Sequence, residues 1–127
     1  MKQTFFCKVF AFLFFLPLSL LAKEVRLTAS DTGSHVVLDV GDTLKVVLQG
    51  NPTTGYTWNL SSIEKQSISL VEKSYKPSST RCGAGGTYTF TFSAASKGET
   101  PLSLFHSRQW EKGIAPIHTF EITVEVR

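Results

Sequence analysis

The chain has 127 residues, of which 42% are hydrophobic and 18% charged, and its formal net charge is +3. Its Lys and Arg residues form no run or stripe, so the composition gives no indication of nucleic-acid binding. The length is that of one domain preceded by a short leader.

The first 22 residues have the features of a secretory signal peptide. A basic start precedes 13 mostly apolar residues at 9–21, and Ala22 is a plausible cleavage position. The apolar run is short for a transmembrane helix, and no second stretch could span a bilayer. We predict a signal peptide at 1–22 and one domain at 23–127, without stable membrane association after cleavage. An uncleaved N-terminal anchor is the alternative.

Removal of the leader changes both the charge and the cysteine content. Lys2, Lys8 and Cys7 leave with it, so the mature chain keeps 11 basic and 10 acidic residues, a net charge of +1, and a single cysteine, Cys82. One thiol cannot form an internal disulfide, so the core must supply the stability alone. We expect Cys82 to be buried or inert, and a reactive thiol is the alternative.

The leader also predicts where the mature protein resides. In a bacterium the secretory pathway leads to the periplasm or the exterior, and in a eukaryote to a secreted or endolysosomal location. Asn59 begins a glycosylation sequon that matters only in a eukaryotic secretory pathway.

Short alternating apolar runs, separated by turn residues, predict β-strands throughout the mature chain. No segment keeps a period of 3.6 for three turns. The clearest strand is Thr87 to Ser93, in which Tyr88, Phe90 and Phe92 alternate with polar residues. The predicted strands, in chain order, are 23–28, 36–40, 43–48, 56–60, 68–75, 87–93, 101–106 and 118–127.

Seven or eight short strands with turn signals every eight to twelve residues are typical of an antiparallel β-sandwich. The predicted fold class is therefore all-β. The chain lacks the Cys-Trp-Cys framework of antibody domains, so any kinship with immunoglobulin domains is architectural.

The most informative segment lies between the third and fourth predicted strands, at residues 51–58. Its first half is a loop, because Pro52 restricts φ and Gly55 permits a positive φ. Its second half is a strand that places Tyr56 and Trp58 on one face. A rigid loop supported by two aromatic residues can present its backbone to a partner, whereas an ordinary tight turn before a core strand is the alternative.

Two further segments flank predicted strands. Gly83-Ala84-Gly85-Gly86 precedes the strand at 87–93, and Arg108-Gln109-Trp110 follows the strand at 101–106. Together the three segments resemble the signature of chagasin-like inhibitors of papain-family cysteine proteases, inhibitor family I42. The loops of that family read Asn-Pro-Thr-Thr-Gly-Tyr-x-Trp, Gly-x-Gly-Gly and Arg-Pro-Trp. The one departure is Gln109, where the family has proline.

The resemblance implies an immunoglobulin-like sandwich and a secreted, reversible, tight-binding inhibitor that wedges three loops into the active-site cleft. The first loop would lie over the catalytic cysteine, the glycine loop along the non-primed side, and Arg108 and Trp110 on the primed side. The implied partner is a papain-like cysteine protease, bound by a monomer. The predicted protease-binding residues are Asn51, Pro52, Thr53, Thr54, Gly55, Tyr56, Trp58, Gly83, Ala84, Gly85, Gly86, Arg108, Gln109 and Trp110.

Within this set we expect two different roles. Tyr56 and Trp58 are expected to support the loop from the core. Trp110 lies in a turn-rich stretch, so we expect it to contact the partner.

A catalytic or metal-binding interpretation finds little support in the residue spacing. Cys82 with His35, His106 or His118 is the only Cys–His option, and we expect each histidine at the surface or at a strand end. No HxxxH or CxxC pair occurs, and glycines 83–86 lack the Lys-Ser/Thr of a phosphate loop. We therefore predict no enzymatic activity, no cofactor and no metal. The alternative function is a secreted immunoglobulin-like module that binds a carbohydrate or a surface protein through the same loops.

Overall fold

The computed structural model describes residues 22–61 and 67–127. Apart from Ala22, the predicted signal peptide lies outside the described residues. These residues form eight strands and two short 3-10 helices, Ala29–Asp31 and Pro52–Thr54. The strands are β1 (Glu24–Thr28), β2 (His35–Leu38), β3 (Thr43–Gly50), β4 (Thr57–Leu60), β5 (Ile68–Pro77), β6 (Gly86–Ala94), β7 (Gly98–Ser107) and β8 (His118–Val126).

The strands form two four-stranded sheets, in the orders β1-β3-β6-β5 and β2-β8-β7-β4. Four pairings among the described strands are antiparallel. The pairings β1–β3 and β2–β8 are parallel, so both sheets are mixed, and the predicted antiparallel arrangement holds for the other four pairings. The chain leaves the first sheet after β1, contributes β2 to the second sheet, and returns to the first sheet in its original direction. The predicted all-β class is confirmed.

The inward faces of both sheets are apolar because side chains alternate along each strand. On the central strand β6, Tyr88, Phe90, Phe92 and Ala94 are buried. Burial of one Phe or Leu side chain contributes roughly 1.5–3 kcal/mol, so the sheets can hold together without a disulfide. The core residues are Leu27, Val36, Leu38, Leu44, Val46, Leu48, Trp58, Ile68, Tyr88, Phe90, Phe92, Ala94, Leu102, Leu104, Phe120, Ile122, Val124 and Val126.

Three connections gather at one end of the sandwich. Gly86, the first residue of β6, is the partner of both Gly50 and Pro77, the last residues of β3 and β5. His106 near the end of β7 pairs with His118 at the start of β8. The connections after β3, β5 and β7 therefore lie side by side. We call them the first loop (51–56), the second loop (78–85) and the third loop (108–117), and together the loop end.

The other end of the sandwich carries the turns at 39–42 and 95–97. The Gly41 N–H donates at 2.9 Å to the carbonyl of Ala94, the last residue of β6, which joins the first of these turns to the strand that precedes the second. In the part of the chain described here, no helix has the length and apolar character needed to cross a bilayer.

Candidate functional site

The first loop is one 3-10 turn closed by its own side chains. Asn51 Oδ1 accepts hydrogen bonds from Thr53 N at 3.1 Å and from Thr53 Oγ1 at 2.6 Å. Thr54 Oγ1 donates to the Asn51 carbonyl at 2.7 Å. Gly55 ends the turn at φ +88°, and its N–H donates to the Pro52 carbonyl at 2.9 Å. These bonds fix the loop in the unbound protein.

Asn51 also fastens the first loop to the second. Its Nδ2 donates to the Gly83 carbonyl at 2.9 Å, while Ser78 closes the second loop by donating through N and Oγ to the Gly85 carbonyl at 2.9 and 2.7 Å. A Cβ at Gly85 would lie 3.2 Å from the Gly50 carbonyl oxygen, and one at Gly86 would collide with the Lys76 carbonyl. The chain's own packing thus requires glycine at 86 and leaves little room for a side chain at 85.

The third loop rests on the first. Arg108 Nε donates to the Thr54 carbonyl at 3.2 Å, and its guanidinium lies 4.4 Å from the centre of the Tyr56 ring. The Trp110 indole covers Gly55 so closely that a Cβ there would lie 2.5 Å from Trp110 Cη2. Trp110 nevertheless remains 66% exposed, so it can both support Gly55 and meet a partner.

An aromatic stack lies beneath the first loop. The His106 ring is parallel to the Trp58 indole, with ring centres 4.7 Å apart, and meets Tyr56 edge-on at 5.9 Å. Trp58 is fixed in turn because its Nε1 donates to the Gln49 carbonyl at 3.0 Å. The His118 ring lies on the other side, with the Nδ1 atoms of the two histidines 3.5 Å apart.

His106 is 8% exposed, and its Nε2 has no hydrogen-bond partner among the described residues. Burial, and secondarily the nearby His118, lowers the pKa of His106 from its ordinary value. His106 therefore lies at a strand end, as expected, but it is buried and not at the surface. The signal was present in the sequence, because Leu102, Leu104 and His106 follow each other at period two on the inward face.

The structure brings the three predicted segments together through the contacts Asn51–Gly83 and Arg108–Thr54. Trp58 is buried at 4% and supports the loop from the core, as expected. Cys82 is exposed, so it is not buried, and its inertness stays a prediction. It lies in the second loop, which projects beyond the sheets.

One cluster among residues 22–61 and 67–127 carries side chains that metals use. His35, Glu99 and Glu125 lie on the outer face of the second sheet, with one donor atom from each within 4.8 Å of the others. His35 Nε2 and Arg127 Nε each lie 3.0 Å from a Glu125 carboxylate oxygen. These hydrogen bonds, His35 first, lower the pKa of Glu125. The cluster is an exposed ion-pair network, away from the loop end.

A groove of about 590 Å³ runs beside the first 3-10 helix, over Trp58 and Phe120. It contains none of the exposed residues of the three loops. The loop end consists of the connections that extend beyond the ends of β3, β5 and β7.

Residues 37–124 match the family described as chagasin family peptidase inhibitor I42. The chain belongs to the chagasin family. Amoebiasin-1 of Entamoeba histolytica is 30% identical over 105 residues, which cover 81% of this chain and 100% of the relative. Chagasin of Trypanosoma cruzi is 29% identical over 90 residues, covering 67% of this chain and 82% of chagasin.

The fold also resembles that of a cysteine protease inhibitor of known structure. A crystal structure of the cysteine protease inhibitor EhICP2 from Entamoeba histolytica superposes with a TM-score of 0.75 and 25% identity, covering 84% of this chain and 97% of that one. The predicted family and the immunoglobulin-like sandwich are thereby confirmed. Because the chagasin family consists of peptidase inhibitors, the prediction that the chain is not an enzyme is also confirmed.

Proposed function

We propose that this protein is a secreted, monomeric inhibitor that binds papain-like cysteine proteases reversibly and tightly by inserting its loop end into the active-site cleft. The observation that supports this most strongly is the union of three family loops in one projecting surface, joined by the Asn51–Gly83 and Arg108–Thr54 hydrogen bonds. The target class follows from the peptidase-inhibitor family and from the related cysteine protease inhibitor of known structure.

The first loop would lie over the catalytic cysteine without being cut. Cleavage requires a carbonyl carbon placed for attack by the thiolate. In this loop the Pro52 carbonyl accepts from Gly55 N, and the Thr54 carbonyl accepts from Arg108 Nε. Both carbonyls would have to leave these partners before they could align with a thiolate. The loop would therefore block the nucleophile while resisting hydrolysis.

The third loop would supply the apolar part of the interface. Among residues 22–61 and 67–127, six large hydrophobic side chains are exposed, and three of them lie in this loop: Trp110, Ile114 and Ile117. Apolar groups concentrated in one short segment mark an interaction surface. Trp and Arg are also the residue types that most often dominate interface energies.

Tight binding would follow from the rigidity of the loop end. Loops that are already hydrogen-bonded lose little conformational freedom when they dock. An interface of standard size, roughly 1,600 Å², can then reach an affinity on the order of nanomolar or better.

The test is an inhibition constant for the purified protein against one papain-like enzyme. We expect nanomolar inhibition, and we expect Trp110→Ala to weaken it by about 2 kcal/mol, or roughly thirtyfold. Val71→Ala is the control, because Val71 is also hydrophobic and is 64% exposed, close to the 66% of Trp110, but lies on β5, outside the loop end. Unchanged inhibition by Trp110→Ala would remove the third loop from the interface.

Mass spectrometry separates an inhibitor from a slow substrate. After hours with active enzyme, we expect the protein to remain intact. Cleavage within 51–56 that parallels the loss of inhibition would contradict the proposed mechanism. The absence of inhibition at any concentration would instead support a binding module with another partner.

A further inference from the structure

His106 lies at the junction between the core and the first loop. It is sandwiched between Trp58 and His118, and the edge of its ring meets Tyr56. The family signature accounts for Trp58 and Tyr56 but contains no histidine, so the role of His106 has to be deduced from its contacts.

A short series of contacts connects His106 with the tip of the first loop. Tyr56 contacts His106 on one side and carries the Arg108 guanidinium at 4.4 Å on the other. Arg108 in turn holds the Thr54 carbonyl at 3.2 Å. The edge contact between Tyr56 and the imidazole therefore helps to determine where Arg108 can hold the loop.

A second proton on His106 would disturb this arrangement. The ring is buried, so the charged form loses hydration. With His118 also protonated, two N–H donors and two positive charges would face each other across 3.5 Å. The Arg108 guanidinium beyond Tyr56 is paired with the Glu111 carboxylate at 3.4 Å, so it adds little to this repulsion.

The surrounding elements supply little to oppose this repulsion. β4 contributes the uncharged Trp58 and the first loop contributes Tyr56, whereas β8 contributes His118. The face of Trp58 attracts a cation and offsets part of the cost. Burial first, and His118 second, lower the pKa of His106.

We infer that His106 is a positioning residue for the first loop, and that it holds the loop in its binding conformation only while the imidazole is neutral. Inhibition should therefore weaken on acidification. The effect on inhibition rests on the proposed function, whereas the effect on the loop itself does not.

The expected loss of affinity on acidification follows from the fraction of molecules in which His106 is neutral. When only the neutral form binds, the apparent dissociation constant rises as the neutral fraction falls. Affinity should drop about tenfold for each pH unit below the pKa of His106, and it should level off above that pKa.

The experiment compares inhibition by the wild-type protein and by His106→Phe over pH 4 to 8, using one papain-like enzyme. Phe keeps the stack but cannot titrate. The inhibition constant of the wild-type protein is divided by that of His106→Phe, which cancels the enzyme's own pH dependence. This ratio should rise on acidification, because only the wild-type protein loses affinity. His118→Gln should shift the decline to higher pH, because it removes the neighbouring charge that lowers the pKa of His106. His35→Gln, which alters a histidine on the outer sheet face, should leave the profile unchanged.

A second readout uses NMR spectra of the unbound protein. The Gly55 amide and the Trp110 indole resonances should shift with the pKa of His106 in the wild-type protein, but not in His106→Phe. This result is expected even if the protein inhibits no protease. Parallel pH profiles for wild type and His106→Phe would overturn the inference, as would loop resonances that do not follow His106.

Discussion

Gly55 is the residue at which the backbone conformation of the first loop and the packing of the third loop depend on each other. Its φ of +88° disfavours any side chain, and Trp110 fills the space where a Cβ would project. The positive φ and the contact with Trp110 both restrict position 55. A substitution of Gly55 by alanine therefore tests the contact between the first and third loops.

We expect Gly55→Ala to destabilise the protein by about 1–2 kcal/mol through its left-handed backbone and to weaken inhibition further by displacing Trp110. Gly41→Ala is the control, since its φ is +99° and a Cβ there would meet nothing within 4 Å among the described residues. Urea unfolding and inhibition constants measure the two effects. Equal inhibition by both variants would mean that the Trp110–Gly55 contact does not contribute to binding.

At the residue scale, sequence reasoning succeeded where backbone chemistry decides. The positive φ of Gly55 is confirmed, because few other residues adopt it in a tight loop. It did not anticipate that His106 is buried or that Cys82 is exposed. Histidine is polar, which suggested exposure, although the alternation along β7 places His106 on the inward face. The exposure of Cys82 depends on how far the second loop extends beyond the strands, which the sequence does not specify.

At the end of the sandwich opposite the loop end, the side chain of Asp42 joins the start of β1 to the turn before β3. Its carboxylate accepts from Lys23 N at 3.0 Å and from Asp39 N at 2.9 Å, tying the start of β1 to the turn before β3. These hydrogen bonds, Asp39 first and Lys23 second, lower the pKa of Asp42. Lys23 would be the first residue after signal cleavage, so its new ammonium group would lie beside this carboxylate.

We expect Asp42→Asn to unfold more easily than the wild-type protein at pH 7. Because the folded pKa of Asp42 lies below its unfolded value, the stabilisation is present above the unfolded value of about 4. It is lost as the pH falls through the folded pKa, so the two proteins should converge in acid. Asp39→Asn removes a charge from the same turn but keeps both hydrogen bonds. Thermal unfolding across pH gives the comparison, and a constant gap at all pH values would refute this assignment.

The third loop contains the one departure from the family signature, and its conformation favours restoring the family residue. Glu111 N donates to the Arg108 carbonyl at 3.1 Å, so Gln109 occupies the second position of a four-residue turn. Proline is favoured there because it fixes φ in advance. Where the backbone is compatible, this substitution stabilises by about 0.4–1 kcal/mol.

We therefore expect Gln109→Pro to tighten inhibition by about two- to fivefold. Inhibition constants for the two proteins against one enzyme give the comparison, with circular dichroism to establish that the variant is folded. Weaker inhibition by a folded Gln109→Pro would contradict the turn assignment.

At the element scale, alternation located every strand but not every partner. The bounds differ by at most three residues, with the largest difference at the start of β7, which begins at Gly98 rather than at 101. Alternation defines which face of a strand is apolar, not which strand lies beside it. The parallel pairings β1–β3 and β2–β8 were therefore not predicted. Leu70 has an apolar pattern yet remains 40% exposed because β5 is an edge strand.

At the scale of the whole molecule, the direction of the strands accounts for the site. Three of the connections between consecutive strands lie at one end, so segments separated by more than 50 residues in sequence form one surface. Short motifs in the sequence predicted the members of that surface. The hydrogen bonds that join its loops, and the stack beneath them, depend on side-chain positions that only the folded structure supplies.

The central claim is that this loop end enters the protease cleft, and amide hydrogen exchange of the protein with and without a papain-like enzyme tests it most directly. We expect new protection in 51–56, 83–86 and 108–112, with unchanged exchange in the turns at 39–42 and 95–97. Protection at those opposite turns, with unchanged exchange in the three loops, would contradict the account.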